Sequence, residues 1–185
     1  KAEQAVDDFH PDRACVTLVT AARLQNHSKG IDRMVRVLHQ LKQQGLPVKW
    51  YVFGEGSDRL AIETMINDFG LQNDFILMGN RFNIYPYLAK ADLYVMASRY
   101  EGKPIAVTEA QILGLPVITT RYASAAEQVK DGVTGLVVEN NDDAICEALV
   151  RVIRCPELLA SFRENLKKTD FTNHESLKQF YKLTE

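Results

Sequence analysis

Six short apolar runs, at residues 15–21, 48–53, 74–78, 93–97, 116–119 and 135–138, have the length and the β-branched and aromatic content of strands. The segments between them carry a different period. Ile31, Met34, Val35, Leu38 and Leu41 recur three or four positions apart, as do Leu60, Ile62, Met65, Ile66 and Phe69, so each set lies along one face of a helix. Strands alternating with helices predict an α/β fold, a parallel sheet with helices on both faces. From Asn141 onward the pattern is helical, and 171–185 reads as a closing amphipathic helix. One unit over 1–185 is therefore expected, with its core at about 12–170.

Composition fits one domain: 185 residues with 46% hydrophobic content bury a sizeable core, and no stretch has the character of a linker. The formal net charge of -2 gives no general attraction to nucleic acid or to an acidic membrane surface. No apolar run approaches the ~20 residues of a membrane span. The polar start, residues 1–12, lacks a signal-peptide pattern, so a cytoplasmic protein is expected. Cys15, Cys146 and Cys155 have no metal-ligand spacing and are expected as reduced thiols. His10, His27, His39 and His174 form no pair at ligand spacing and lie in polar stretches, which predicts solvated rings and no protein-bound metal.

In open α/β sheets ligands bind beyond the carboxyl ends of the strands, and the chemically suggestive residues follow predicted strands. Glu101 and Glu109 bracket Gly102, Lys103, Pro104, Ile105 and Ala106. Pro104 suits the first position of a helix and Gly102 allows close approach of backbone to a ligand, so amides from Lys103 to Ala106 are expected to face outward. A helix amino end favours phosphate, and carboxylates beside it accept hydroxyl hydrogens from a sugar or a ribose. A sugar nucleotide is the ligand this implies. The same residues also suit an ordinary loop followed by acidic complementation of a helix dipole.

After the first strand, Arg23 and Lys29 can aim two cations at that phosphate site, or can serve as solvated loop charges. Gly54 and Gly56 make a GxG turn after the second strand, without the third glycine of a dinucleotide fingerprint and with no P-loop in the chain. Gly79 ends the third strand as a turn or as a base contact, and Arg81 beside it can stack on a base. Lys103 can form an ion pair, meet an acidic donor sugar or reach water. Among the residues 84–98 the aromatics read as core.

The segment from Glu101 to Glu109, continued by residues 110–120, resembles the E-x7-E signature of retaining glycosyltransferases of the GT-B fold, closest to glycosyltransferase family 4. The resemblance runs from about Val16 to the end and covers only the carboxyl-terminal, donor-binding, Rossmann-like half of such enzymes. It implies that Glu101 acts at the transferred sugar, Glu109 holds the ribose, the intervening amides hold the diphosphate, and Arg23 and Lys29 stabilise the leaving group. It places Gly54, Gly79 and Arg81 at the nucleotide. Ala22 stands where the family often has Gly, the Arg23-to-Lys29 spacing is one longer than its commonest form, and Lys103 replaces a frequent apolar residue. The donor implied is a nucleotide diphosphate sugar, with UDP favoured, and no further cofactor. The acceptor, a glycan or a lipid-linked glycan of cell-surface polysaccharide synthesis, would be bound by an amino-terminal domain absent from this chain. That makes the chain an expected fragment, inactive alone, of an enzyme with possible peripheral membrane association. The rival readings are a non-catalytic nucleotide-sugar module, an epimerase of the same fold, and an interaction domain with an empty cleft.

Overall fold

Successive residues of a strand face opposite ways, so a sheet covered on both sides needs apolar residues at odd and even positions alike. The computed structural model, which describes Phe9 and residues 11–171, meets that requirement. Strands β1 (Val16–Ala21), β2 (Val48–Phe53), β3 (Phe75–Gly79), β4 (Leu93–Met96), β5 (Val117–Thr120) and β6 (Gly135–Val138) form one sheet in the order β3-β2-β1-β4-β5-β6. Every neighbouring pair is parallel. The helices are α1 (Asn26–Lys29), α2 (Ile31–Gln43), α3 (Arg59–Asp68), α4 (Tyr85–Leu88), α5 (Ile105–Ile112), α6 (Ala125–Gln128), α7 (Asp142–Arg154) and α8 (Pro156–Lys167). The helix expected at 171–185 lies outside the described residues apart from Phe171.

The two faces sort residue by residue. Leu18, Trp50, Val52, Leu93, Val95, Ile118 and Leu136 pack with Met34 and Leu38 of α2, Ile62 of α3, Leu149 of α7 and Phe162 of α8. Their neighbours Val19, Tyr51, Phe53, Tyr94, Met96, Val117 and Val137 pack on the other side with Leu88 and Val107 of α4 and α5. Each such side chain contributes roughly 1.5–3 kcal/mol of transfer free energy when fully buried. Phe9, within the stretch read as polar, is fully buried, with its ring 4.8 Å from Tyr51 and 5.4 Å from Tyr87. Among the described residues every buried side-chain nitrogen or oxygen has a partner. Trp50 Nε1 donates to Thr20 Oγ1, which in turn donates to the Val95 carbonyl.

Two expectations needed correction here. Leu60 is 76% exposed, because it sits two residues before Ile62 and so about 200° round the helix from it. His39 is not simply solvated, since its ring stacks on Phe69 at 4.6 Å.

From β1 the chain steps outward to β2 and β3, then returns to the other side of β1 for β4, β5 and β6. The loops after β1 and β4 therefore depart in opposite directions. A crevice opens between them at the carboxyl edge of the sheet, the place where such sheets take ligands.

Candidate active site

The crevice is bridged by side chains from its two flanking loops. Lys29 Nζ donates to Glu101 Oε1 at 2.6 Å, and Ser98 Oγ donates to the same oxygen at 2.8 Å. Glu101 is held deep, with its side chain 10% exposed. Lys29 thus faces the Glu101 carboxylate, a partner that neither the phosphate reading nor the solvated-charge reading included. Gly30 makes this approach possible: its φ is +66°, and a Cβ there would lie 2.4 Å from the Ala97 carbonyl.

Beneath that pair lies a charged network joining three loops. Arg99 reaches both oxygens of Asp32 at 2.7 and 2.8 Å and donates to the carbonyl of Asn26 at the end of β1's loop. Its own backbone N–H donates to Ser28 O. Arg36 binds both Asp32 and Asp142, and the buried Arg33 binds Asp142, Asn140 and the Ala97 carbonyl. Asn140 closes the circuit by donating to the Arg99 carbonyl. Burial pushes the Asp32 carboxyl up, yet hydrogen bonds from Arg99 and Arg36 outweigh it and hold the group below its ordinary value. Asp32 also occupies the first turn of α2, where a negative charge complements the helix dipole.

On the far side of Glu101, α5 begins at Ile105. Pro104 is its cap, with extended backbone at φ -67° and ψ 119°, one place earlier than the first helical position predicted. No side chain caps this helix, so its first amides, at Ile105 and Ala106, retain donor capacity, while the Val107 N–H donates to the Pro104 carbonyl. The loop is pinned from α6 and its approach: Ser124 Oγ donates to the Gly102 carbonyl, and Gln128 Nε2 donates to the Pro104 carbonyl at 3.0 Å. Lys103 pairs with Glu127 at 3.5 Å, and both side chains are largely exposed. Glu109, one turn into α5, accepts the Tyr85 hydroxyl at Oε1, 2.7 Å away. Tyr85 is 46% exposed, so it is not core, unlike the buried Tyr87 and Tyr94. Tyr94 hydroxyl bonds both the amide and the carbonyl of Ala21 at the end of β1, and burial pushes its phenol up.

Beyond β1 a pocket of about 210 Å³ brings Arg23, Gly54 and Arg81 together, along with Glu55, Asn80 and Ile84. Its floor is main chain. Gly54 has φ +146°, and a Cβ there would meet the Ala22 carbonyl at 2.0 Å. Gly79 adopts the left-handed turn at φ +68°, and its carbonyl receives the Gly54 N–H. The structure thus groups the predicted residues as Lys29 with Glu101 and Arg23 with Gly54 and Arg81, and sets Glu109 beside Tyr85. Sequence reasoning missed Ser98, Asp32, Arg99 and Tyr85. Arg99 and Asp32 lie 67 positions apart and carry no local pattern, whereas Tyr85 was hidden among aromatics that do pack inside. Among the described residues no group of three or more His, Cys, Asp or Glu side chains is arranged to hold a metal ion. No described helix is long and apolar enough to cross a membrane.

An all-parallel sheet of this order, with helices on both faces and a crevice at the switch point between β1 and β4, defines a doubly wound, Rossmann-like α/β fold. Residues 12–169 match the family described as glycosyl transferases group 1, and the chain belongs to that family. It is 28% identical over 182 residues to the amylovoran biosynthesis glycosyltransferase AmsK of Erwinia amylovora, covering 91% of this chain and 44% of that protein. The fold matches Staphylococcus aureus TarM, solved with fondaparinux, α-GlcNAc-glycerol and UDP, with a TM-score of 0.79 and 24% identity over 95% of this chain and 37% of TarM. It also matches the C-terminal domain of the group 1 glycosyl transferase LpcC from Francisella tularensis, with a TM-score of 0.72 and 22% identity over 82% of each chain. The chain therefore spans less than half the length of AmsK and of TarM.

Proposed function

We propose that this chain is the donor-binding half of a retaining glycosyltransferase of family 4, taking sugar from a nucleotide diphosphate sugar. UDP is the favoured nucleotide. The acceptor is a glycan or lipid-linked glycan in polysaccharide synthesis at the cytoplasmic face of a membrane, bound by an amino-terminal half outside this chain. The observation that carries the reading is Glu101, joined to Lys29 across the β1/β4 crevice beside the uncapped start of α5. Support for the independence of such a half comes from LpcC, whose C-terminal domain was solved by itself.

In this reading the departing diphosphate lies against the first amides of α5, with Arg23 and Lys29 adding positive charge where negative charge develops. Lys29 has three N–H donors, so its bond to Glu101 leaves two for phosphate. Glu101, fixed by Lys29 and Ser98, meets hydroxyls of the sugar beside the developing oxocarbenium. Glu109 takes the ribose hydroxyls, and the pocket holding Arg81, whose Gly54 is bonded to the Gly79 carbonyl, takes the base.

Isothermal titration of the chain with UDP, GDP, ADP and NAD, with EDTA present, tests the assignment. One nucleoside diphosphate should bind selectively, and Arg23→Ala should weaken it by about ten- to a hundredfold, the worth of one charge-assisted hydrogen bond. Glu109→Ala should weaken it as well. A folded chain that binds none of the four overturns the reading.

A further inference from the structure

We propose that Tyr85 is a positioning residue for the nucleoside, acting by presetting the carboxylate of Glu109; this rests on the donor-site reading above. Three observations meet at this side chain. Its hydroxyl donates to Glu109 Oε1 at 2.7 Å, from the far side of a 24-residue separation. Its backbone N–H donates to Asn83 Oδ1 at 3.0 Å, which fixes the start of α4. Its neighbour Ile84 both lines the Arg23 and Arg81 pocket and packs against the buried cluster under the sheet. Tyr85 thus spans the interval between the pocket on the β1 side of the crevice and the acid on α5.

The chemistry follows from what a carboxylate offers. Two oxygens carry about four acceptor sites, so the phenol occupies one and leaves the rest for ribose hydroxyls. A half-buried glutamate on a helix without such a partner samples several rotamers, and freedom removed before the ligand arrives is not lost on binding. The contact is also durable. The hydrogen bond to Glu109 pushes the Tyr85 phenol above its ordinary value, so the hydroxyl remains a donor throughout the neutral range.

The test is a double-mutant cycle read by titration with UDP, or with GDP or ADP if one of those is the nucleotide the wild-type chain binds. Tyr85→Phe, isosteric and at an exposed site, should leave the thermal midpoint in place and raise the Kd by about three- to tenfold. In a Glu109→Ala background, which removes the acceptor, the same substitution should change the Kd by less than about twofold, because its effect passes through the carboxylate. An unchanged or tighter affinity in Tyr85→Phe overturns the assignment, the latter by making the phenol a competitor of the ribose. An equal loss in both backgrounds overturns it too, by placing Tyr85 directly on the ligand. A wild-type chain that binds no nucleoside diphosphate removes the donor site itself, a result separate from all of these.

Discussion

Glu101 and Glu109 are the same residue type eight positions apart, yet the structure treats them differently. Glu101 sits within the loop between β4 and α5, 10% exposed, with Lys29 and Ser98 on one oxygen and a charged network beneath. Glu109 rides on a regular helix and meets one exposed phenol. The first is placed by tertiary structure gathered from three loops, the second by local helix geometry and a single neighbour. Substitutions should therefore act at a distance on Glu101 and only close by on Glu109.

The sharpest way to break this contrast is Glu101→Gln in the complete enzyme. Transfer should fall by roughly two orders of magnitude, the scale of losing one transition-state electrostatic contact, while nucleotide affinity stays within about threefold. Steady-state kinetics beside titration checks this, and a parallel loss of affinity would give both acids the same role. Next in size is Arg99→Ala, which removes the two bonds to Asp32 and the one to Asn26. It should cost about 1.5–3 kcal/mol in urea unfolding, since the pair is partly buried and charge-assisted. Diphosphate affinity should weaken with it, although Arg99 touches no ligand.

Asp32 gives the network a pH signature. Its folded value is depressed below 3.8, so its contribution is complete above that pH and lost as pH falls through the folded value. Asp32→Asn should accordingly be less stable than wild type at neutral pH and show a smaller loss of stability below about pH 4, read from urea midpoints across the acid range. The smallest effect belongs to Lys103→Ala. Its pair with Glu127 lies in water, so stability should move by less than about 0.5 kcal/mol, and a large change in donor affinity would favour the acidic-sugar alternative.

The strands were legible because burial on both faces forces continuous apolar runs, and all six appear within one or two residues of the expected ends. The acid pair and the glycines were legible because their constraints are local. What escaped was long-range. Nothing near Asp32 announces Arg99, and an exposed Tyr85 cannot be told from buried Tyr87 when both follow the same short pattern. Pro104 missed by one place because its fixed φ suits a cap as well as the first helical residue.

The floor of the cleft is tied together by main-chain bonds, from Ala22 N–H to Phe53 O, Leu24 N–H to Glu55 O and Gly54 N–H to Gly79 O. Glycine is required where those strands of backbone touch, and a Cβ at Gly56 would strike the Leu24 carbonyl at 2.3 Å. Side chains at Arg23, Glu55, Asn80 and Arg81 take no part in these main-chain bonds. Descendants of such a chain can exchange them one at a time and so change the chemistry of the cleft wall, while the inherited main-chain frame beneath stays as it was.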